Sequence, residues 1–185
     1  MKGFTELFST FIIMKKADLI KMPAYFDRYI NLVEDIDVIT ALQKYGPDFF
    51  EKEKTNFEKL GDKVYAPGKW TIKDILQHII DAERVFAYRA LRFARNDKTE
   101  LHSFDENSFA DNANTKKRTA FGLLEEFDNL RGANILFFKS LDVETMFREG
   151  IASGDKISVL ALGFTMCGHP IHHMNVIKER YYPLM

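Results

Sequence analysis

Two histidines in the last quarter of the sequence have the spacing of metal ligands on a helix. His169 and His173 are four residues apart, and on a helix this spacing places both imidazoles on one face, one turn apart. Their ring nitrogens can then reach one ion at about 2.0–2.1 Å. Two buried imidazoles without a carboxylate partner resist protonation, and a metal ion would hold both neutral. Apolar residues on the same face indicate that it points inward: Leu162, Met166, Val176 and Ile177.

A third histidine, His78, is a candidate ligand from another helix. It lies at helical spacing from Ile75 and Ala82, and helical bundles build metal sites from side chains on facing helices. From the residues alone, three inward histidines are as consistent with hydrogen-bonded core residues as with ligands. As ligands they leave coordination positions open, which is typical of a catalytic site. Two reactions are consistent with such a site. In one, the metal activates water for attack on a carbonyl; in the other, it stabilises a substrate thiolate.

Other polar residues near these histidines are weaker candidates, and no catalytic residue is assigned. Asp81 shares a side of the helix with His78 and is interpreted as a solvated charge, with a hydrogen-bond acceptor behind a ligand or an extra ligand as the alternatives. His172 projects about 100° away from His173, toward solvent or the mouth of the site. Glu83, well around the helix, is interpreted as structural.

Several further residues are interpreted without a chemical role. Cys167 points away from the histidine face and is expected to be a small core residue. Trp70 and Tyr88, with the phenylalanines, are counted as core because aromatic residues at helical spacing usually pack there. The run 105–107 (Asp-Glu-Asn) either approaches the mouth of the site or caps and solvates its loop.

Four helices are expected to position the three histidines. The first begins near Glu34 and is broken at Gly46-Pro47. The other three are predicted at 71–95, 119–140 and 158–181, where Thr71 and Ser158 are candidate caps. Residues 15–33 are predicted to form an extended arm, and 96–117 a long surface connection. With no convincing period-two run, the pattern predicts an all-α four-helix bundle.

Length and composition predict one domain, residues 15–185. Residues 1–14 are predicted to be a disordered leader, and Met14 is an alternative start of translation. Lys and Arg number 26 against 27 Asp and Glu, so no positive field favours a nucleic acid partner. No segment has the length of a membrane span, although a membrane-surface helix is an alternative for the leader. One cysteine, Cys167, cannot form an internal disulfide, which favours the cytoplasm.

Several motifs closely resemble the DinB/YfiT-like superfamily. They are KWTIKDILQH at 69–78, DAER at 81–84, FAYRALRFAR at 86–95, FDE at 104–106 and GHPIHHMNV at 168–176, within a similarity from about Pro23 to Tyr181. The resemblance implies a four-helix bundle, often a homodimer, that binds a divalent metal such as zinc or nickel. The histidine of the family's second helix matches His78, and its paired histidines match His169 and His173. Members are described as candidate metal-dependent hydrolases or thiol transferases.

Pro170 departs from the family pattern, and two hypotheses for the function follow. It lacks the amide that would bond the Met166 carbonyl, so a kink is expected that could separate His169 from His173. The first hypothesis is a metal-dependent enzyme, of the hydrolase or thiol transferase class, acting on a small molecule. The alternative is a non-catalytic, stress-related binding or dimerisation bundle that has lost turnover or metal.

Overall fold

Helices make up most of the computed structural model, which describes residues 13–185. The α-helices are α1 (Asp27–Ile30), α2 (Val38–Lys44), α3 (Asp48–Glu51), α4 (Lys54–Leu60), α5 (Ile72–Ala94), α6 (Glu106–Asn112), α7 (Ala120–Lys139), α8 (Val143–Met146) and α9 (Val159–Val176). Strands β1 (Glu149–Ala152) and β2 (Asp155–Ser158) pair antiparallel. The 3-10 turns are Lys16–Asp18, Thr115–Lys117 and Tyr182–Leu184, and Ile177–Tyr181 is π-helical. Over the described range, no helix is both long and apolar enough to cross a bilayer.

The predicted four-helix bundle is confirmed. Helices α5, α7 and α9 are continuous, and α2 to α4 together form the remaining column. Both α5 and α2 pack against α7 and α9. The first column is broken where expected, because α2 ends at Lys44 and α3 begins after Pro47, whose ring cannot continue a helical hydrogen-bond ladder.

Side-chain caps fix where the three long helices begin. The Thr71 hydroxyl accepts the backbone N–H of Asp74 at 3.2 Å, while the Asp74 carboxylate accepts the N–H of Thr71 at 2.8 Å. Thr119 and Ser158 each accept an N–H from the first turn of α7 and α9. Each cap satisfies a donor that the first turn leaves free, so these boundaries were readable from the sequence.

The predicted extended arm is wrong for its second half, which contains α1. Phe26, Ile30 and Val33 are buried, and α1 packs on α9. The spacing of these residues by four and three is helical, a signal that the interpretation of the arm did not use. Met14, assigned to the leader, is buried and donates its N–H to the Asp37 carboxylate at 3.0 Å. The rest of the leader prediction, residues 1–12, lies outside the described residues.

The β-hairpin was not predicted, because strands of four residues are too short for a period-two pattern. Ser153 and Gly154 turn the chain with φ of 57° and 82°, as a tight two-residue hairpin requires. The N–H of Ser153 donates to the Leu101 carbonyl at 2.9 Å. This bond ties the hairpin to the connection between α5 and α7, which is itself partly helical, since α6 lies within it.

A buried ion pair joins all four columns of the bundle. Arg131 on α7 donates from Nε and Nη2 to the Glu83 carboxylate on α5 at 2.8 and 2.6 Å. Its Nη1 donates to the carbonyls of Leu42 and Tyr45, at 2.7 and 3.1 Å. Its Nη2 also donates to the Met166 carbonyl on α9 at 3.0 Å. All five guanidinium N–H groups therefore have acceptors, and the structural interpretation of Glu83 is confirmed.

Gly168 allows α1 to lie against α9. A Cβ at this position would be 2.0 Å from the Tyr29 carbonyl oxygen and 2.4 Å from its carbonyl carbon. Both atoms belong to the backbone of α1, which cannot move aside as a flexible side chain can. The glycine is thus required for close approach of two helices.

We expect Gly168→Ala to lower the free energy of unfolding by about 1–3 kcal/mol, because the added methyl group forces α1 away from α9. Gly132→Ala on α7 is the matched control: no atom lies within 4 Å of its added Cβ, so better helix propensity should raise stability by up to about 1 kcal/mol. Urea unfolding followed by circular dichroism measures both. Equal changes in the two variants would contradict the close-approach explanation.

We expect Arg131→Met to lower the free energy of unfolding by about 3–5 kcal/mol, because it leaves the Glu83 carboxylate buried without its ion pair. Lys44→Met is the control, since Lys44 and Glu34 form an ion pair on the surface whose loss should change stability far less. Chemical denaturation measures both. A loss in Arg131→Met no larger than in the control would show that the buried pair does not hold the bundle together.

Candidate metal centre

The three histidines singled out by spacing meet at one point between α5 and α9. The Nε2 atom of His169 lies 3.1 Å from that of His78 and 3.0 Å from that of His173. Among the described residues, these three side chains have possible ligand atoms that all lie within 4.8 Å of one another, close enough to hold one metal ion. Two facing helices therefore supply the donors, two from α9 and one from α5.

Hydrogen bonding alone does not explain this arrangement. The Nε2 atom of a neutral imidazole carries either one proton or one lone pair. His169 can thus make a good hydrogen bond with His78 or with His173, but its second contact is left without a matched donor and acceptor. Ligands of a tetrahedral zinc ion at about 2.0–2.1 Å are themselves about 3.3 Å apart, close to the distances found. The donor set fits a divalent metal better than a hydrogen-bonded core.

Burial keeps the three rings neutral. It lowers the pKa of His78 to about 4, a shift that the nearby Glu106 carboxylate partly opposes. Burial also lowers the pKa of His169 and of His173 well below the usual value, and the neighbouring imidazoles add to the shift. Neutral rings have a free lone pair, so the centre presents ligands to a cation without first losing protons.

Aromatic side chains hold the rings in place. The Trp70 ring packs on His78 with centroids 4.8 Å apart. Tyr29 on α1 packs edge-on against His169 at 5.2 Å, and Phe86 on α5 does so at 5.8 Å. Trp70, assigned to the core, packs against it and also forms a wall of the site. Tyr88, also assigned to the core, is 53% exposed.

Pro170 does not separate the two histidines of α9. The helix continues through the proline from Val159 to Val176, and the Nε2 atoms on either side of it remain 3.0 Å apart. The carbonyl that loses its helical donor, that of Met166, accepts a hydrogen bond from Arg131 instead. A buried carbonyl without a donor would be costly, so the guanidinium removes the main penalty of a proline in the helix interior.

The three rings form one end of a cavity of about 470 Å³. Its other lining residues include Tyr25, Tyr29, Phe86, Arg89 and Glu106. None of these five was assigned a place at the site from the sequence, although Glu106 was weighed for its mouth. Phe86 and Arg89 follow His78 by eight and eleven residues, which is one face of α5, so this spacing was an available signal. For Tyr25 and Tyr29, the sequence contains no comparable spacing signal.

The remaining candidates lie outside the cluster of ligand atoms. Asp81 accepts hydrogen bonds from Gln77 at 3.0 Å and from Arg84 at 3.4 Å and is not part of the cavity lining. His172 lines the cavity and packs on Tyr29 at 5.4 Å. Cys167 is fully buried, and burial raises the pKa of its thiol to about 12, so it is inert as a nucleophile.

Residues of the run 105–107 serve both of the roles considered for it: one caps a helix and another lines the cavity. The Asp105 carboxylate accepts the N–H groups of Asn107 and Ser108, both at 3.0 Å, and so caps α6. Glu106, in contrast, lines the cavity. Of this run, Glu106 therefore lines the cavity, and Asp105 holds the helix that carries it.

Comparison with known proteins finds similarity to one protein family and to solved structures. A family model described as the DinB superfamily matches residues 27–177. Among solved structures, YfiT from Bacillus subtilis, described as a probable metal-dependent hydrolase with an unusual four-helix bundle topology, is similar with a TM-score of 0.64 and 17% identity. The similarity covers 77% of this chain and 85% of that one. No curated protein matches the chain.

We expect His78→Ala, His169→Ala and His173→Ala each to lose stoichiometric metal, because two imidazoles bind an ion far more weakly than three. His172→Ala should retain the metal, since it lines the cavity but is outside the cluster. Elemental analysis of untagged protein purified without chelator measures this. Added zinc or nickel should raise the melting temperature of wild type and His172→Ala alone. Metal retained by His173→Ala, or lost equally from His172→Ala, would contradict the ligand set.

Proposed function

The chain belongs to the DinB superfamily, and from this premise we propose that it is a metal-dependent enzyme that acts on a small molecule, as a hydrolase or a thiol transferase. The observation that carries the proposal is the convergence of three neutral imidazoles at one end of a cavity. The metal is a divalent ion, with zinc or nickel favoured because imidazole suits both.

Three histidine ligands leave room for a further ligand, which distinguishes a catalytic donor set from a closed structural one. A divalent ion bound there supplies Lewis-acid chemistry, lowering the pKa of a bound nucleophile and polarising an electrophile. His78 comes from one helix, and His169 and His173 from another, so the donor set depends on the packing of α5 against α9. The aromatic neighbours of the rings keep their lone pairs aimed at one point.

The cavity suits a small molecule. Its volume of about 470 Å³ lies within the range of about 300–1,000 Å³ that is usual for small-molecule sites. The cavity has aromatic walls, formed by Tyr25, Phe26, Tyr29 and Phe86. These walls exclude water from a bound substrate and strengthen electrostatic interactions within the cavity. A compact organic substrate is therefore favoured over a polymer.

Glu106 is the proposed proton acceptor. It lines the same cavity as the histidines, and its carboxylate acts on the pKa of both His78 and Tyr29. A carboxylate in this position can take the proton of an attacking water or thiol as the new bond forms. The role is the same for both reaction classes, which differ only in the nucleophile.

The reaction class is tested by assaying the metal-loaded protein against esters, amides and electrophiles that accept thiols, with and without an added thiol. Turnover in water alone supports a hydrolase, and turnover that requires the thiol supports a transferase. His173→Ala is the inactive control. Stoichiometric metal without turnover in any assay would instead favour the non-catalytic bundle.

We expect Glu106→Gln to lower kcat by about 10²–10⁴-fold on any substrate turned over, because the amide cannot accept the proton. Its metal content should stay at the wild-type level, since Glu106 is outside the cluster of ligand atoms. Asp111→Asn is the control: it is an exposed carboxylate on the same helix and should keep kcat within about twofold of wild type. Unchanged kcat in Glu106→Gln would remove it from the mechanism.

A further inference from the structure

The cavity contains a buried positive charge that the metal centre does not explain. Arg89 on α5 is 3% exposed and lines the cavity. Its Nη2 donates to the His102 carbonyl at 2.9 Å and to the Ser153 hydroxyl at 2.8 Å. Both acceptors are neutral, and within the described range no carboxylate forms an ion pair with it. A buried charge is unfavourable without a counter-charge.

The contrast with Arg131 indicates that Arg89 is more than a structural residue. Arg131 is also buried, but the Glu83 carboxylate pairs with it and every N–H has an acceptor. Arg89 has no such partner, and burial lowers its pKa. Arginine nevertheless stays charged in proteins. The missing counter-charge is therefore one that a ligand entering the cavity can supply.

The backbone of Ser153, whose hydroxyl contacts Arg89, is strained. Ser153 has a φ of 57°, a region that residues other than glycine, asparagine and aspartate seldom adopt. It occupies the first position of the hairpin turn, where asparagine or glycine is usual. Strain in a site residue is an observation from which a functional role can be inferred. Here it brings a hydroxyl onto the guanidinium at the cavity wall.

We propose that Arg89 and Ser153 form a second subsite in the cavity, which binds the carboxylate of a small molecule whose reactive group reaches the three histidines. This proposal rests on the proposed function for the role of the histidine end. Both hydrogens of Arg89 Nη2 donate to His102 and Ser153, so the N–H groups of Nη1 and Nε are the ones that would donate to the carboxylate. A singly charged group fits best, because the cavity offers one arginine here and Glu106 repels a second negative charge.

The two ends of the cavity set the length of the ligand. Eleven residues separate His78 from Arg89 on α5, which is about 16 Å along the helix axis. Helical side chains lean toward the amino end, and the longer Arg89 side chain leans further than the His78 ring, so the groups they bind are separated by somewhat less than about 16 Å. A flexible chain of several carbons spans this distance, and the aromatic walls pack on it.

The test uses cobalt-loaded protein and ω-mercaptoalkanoic acids of increasing chain length, each compared with the ω-mercaptoalkanol of the same length. The thiolate–cobalt absorption band reports binding at the histidines. At the best length, the acid should bind wild type about 10- to 100-fold more tightly than the alcohol. Equal binding of acid and alcohol at every length would overturn the subsite while leaving the metal centre intact.

Variants assign the preference to the subsite. Arg89→Gln should remove the advantage of the acid while retaining one cobalt per chain. Ser153→Gly removes the hydroxyl but relieves the positive φ, so it should fold at least as well as wild type and still lose part of the advantage. Arg92→Gln removes an equal charge one turn along the same helix and should keep the full preference. A full preference in both subsite variants would overturn the proposal.

Absence of cobalt from wild type would count against the proposed function alone. The subsite is then decided with metal-free protein, titrated with hexanoate and with hexanol and followed by NMR at the Ser153 amide. A shift with hexanoate that Arg89→Gln abolishes supports the subsite. No shift with hexanoate, or the same shift with hexanol, overturns it.

Discussion

The ion pair between Glu83 and Arg131 is the interaction on which the rest of the structure depends. One guanidinium contacts a carboxylate on α5 and backbone carbonyls at the end of α2 and within α9. Such a pair stabilises a fold only when every polar group around it is satisfied. Because every donor of Arg131 has an acceptor, the four columns are fixed relative to one another. The facing positions of α5 and α9, which the histidine cluster requires, follow from that.

The same guanidinium explains how a proline is tolerated between two histidines that must stay aligned. The carbonyl of Met166 loses its helical partner to Pro170 and gains Arg131. The kink expected from the sequence does not separate the rings, because a side chain from another helix replaces the missing amide. The effect of a proline is predicted from its neighbours in the sequence, whereas the compensating donor, Arg131, lies 35 positions from the Met166 carbonyl that it satisfies.

Much of the fold and the pairing of His169 with His173 could be predicted because both depend on local geometry, whereas the addition of His78 to the pair rested on the family resemblance. The spacing of His169 and His173 on one helix, and caps such as Thr71, need only neighbouring residues. The features that the sequence did not predict depend on contacts between distant residues or on elements too short to give a periodic pattern. The four-residue strands gave no periodic signal, and Trp70 forms a wall of the cavity only because α5 begins beside it. The placement of Ser153 against Arg89 joins residues 64 positions apart, which no spacing rule predicts.

The order of the rings along the chain has a consequence for biosynthesis. His78 and His169 are separated by 91 positions, and α9, which carries two of the three rings, follows every other α-helix of the described chain. A nascent chain on the ribosome therefore offers a cation only a single ring at this position until α9 has been translated. Contacts this distant in sequence also form slowly. The three-ring cluster thus forms only after α9 has been made and has packed against α5.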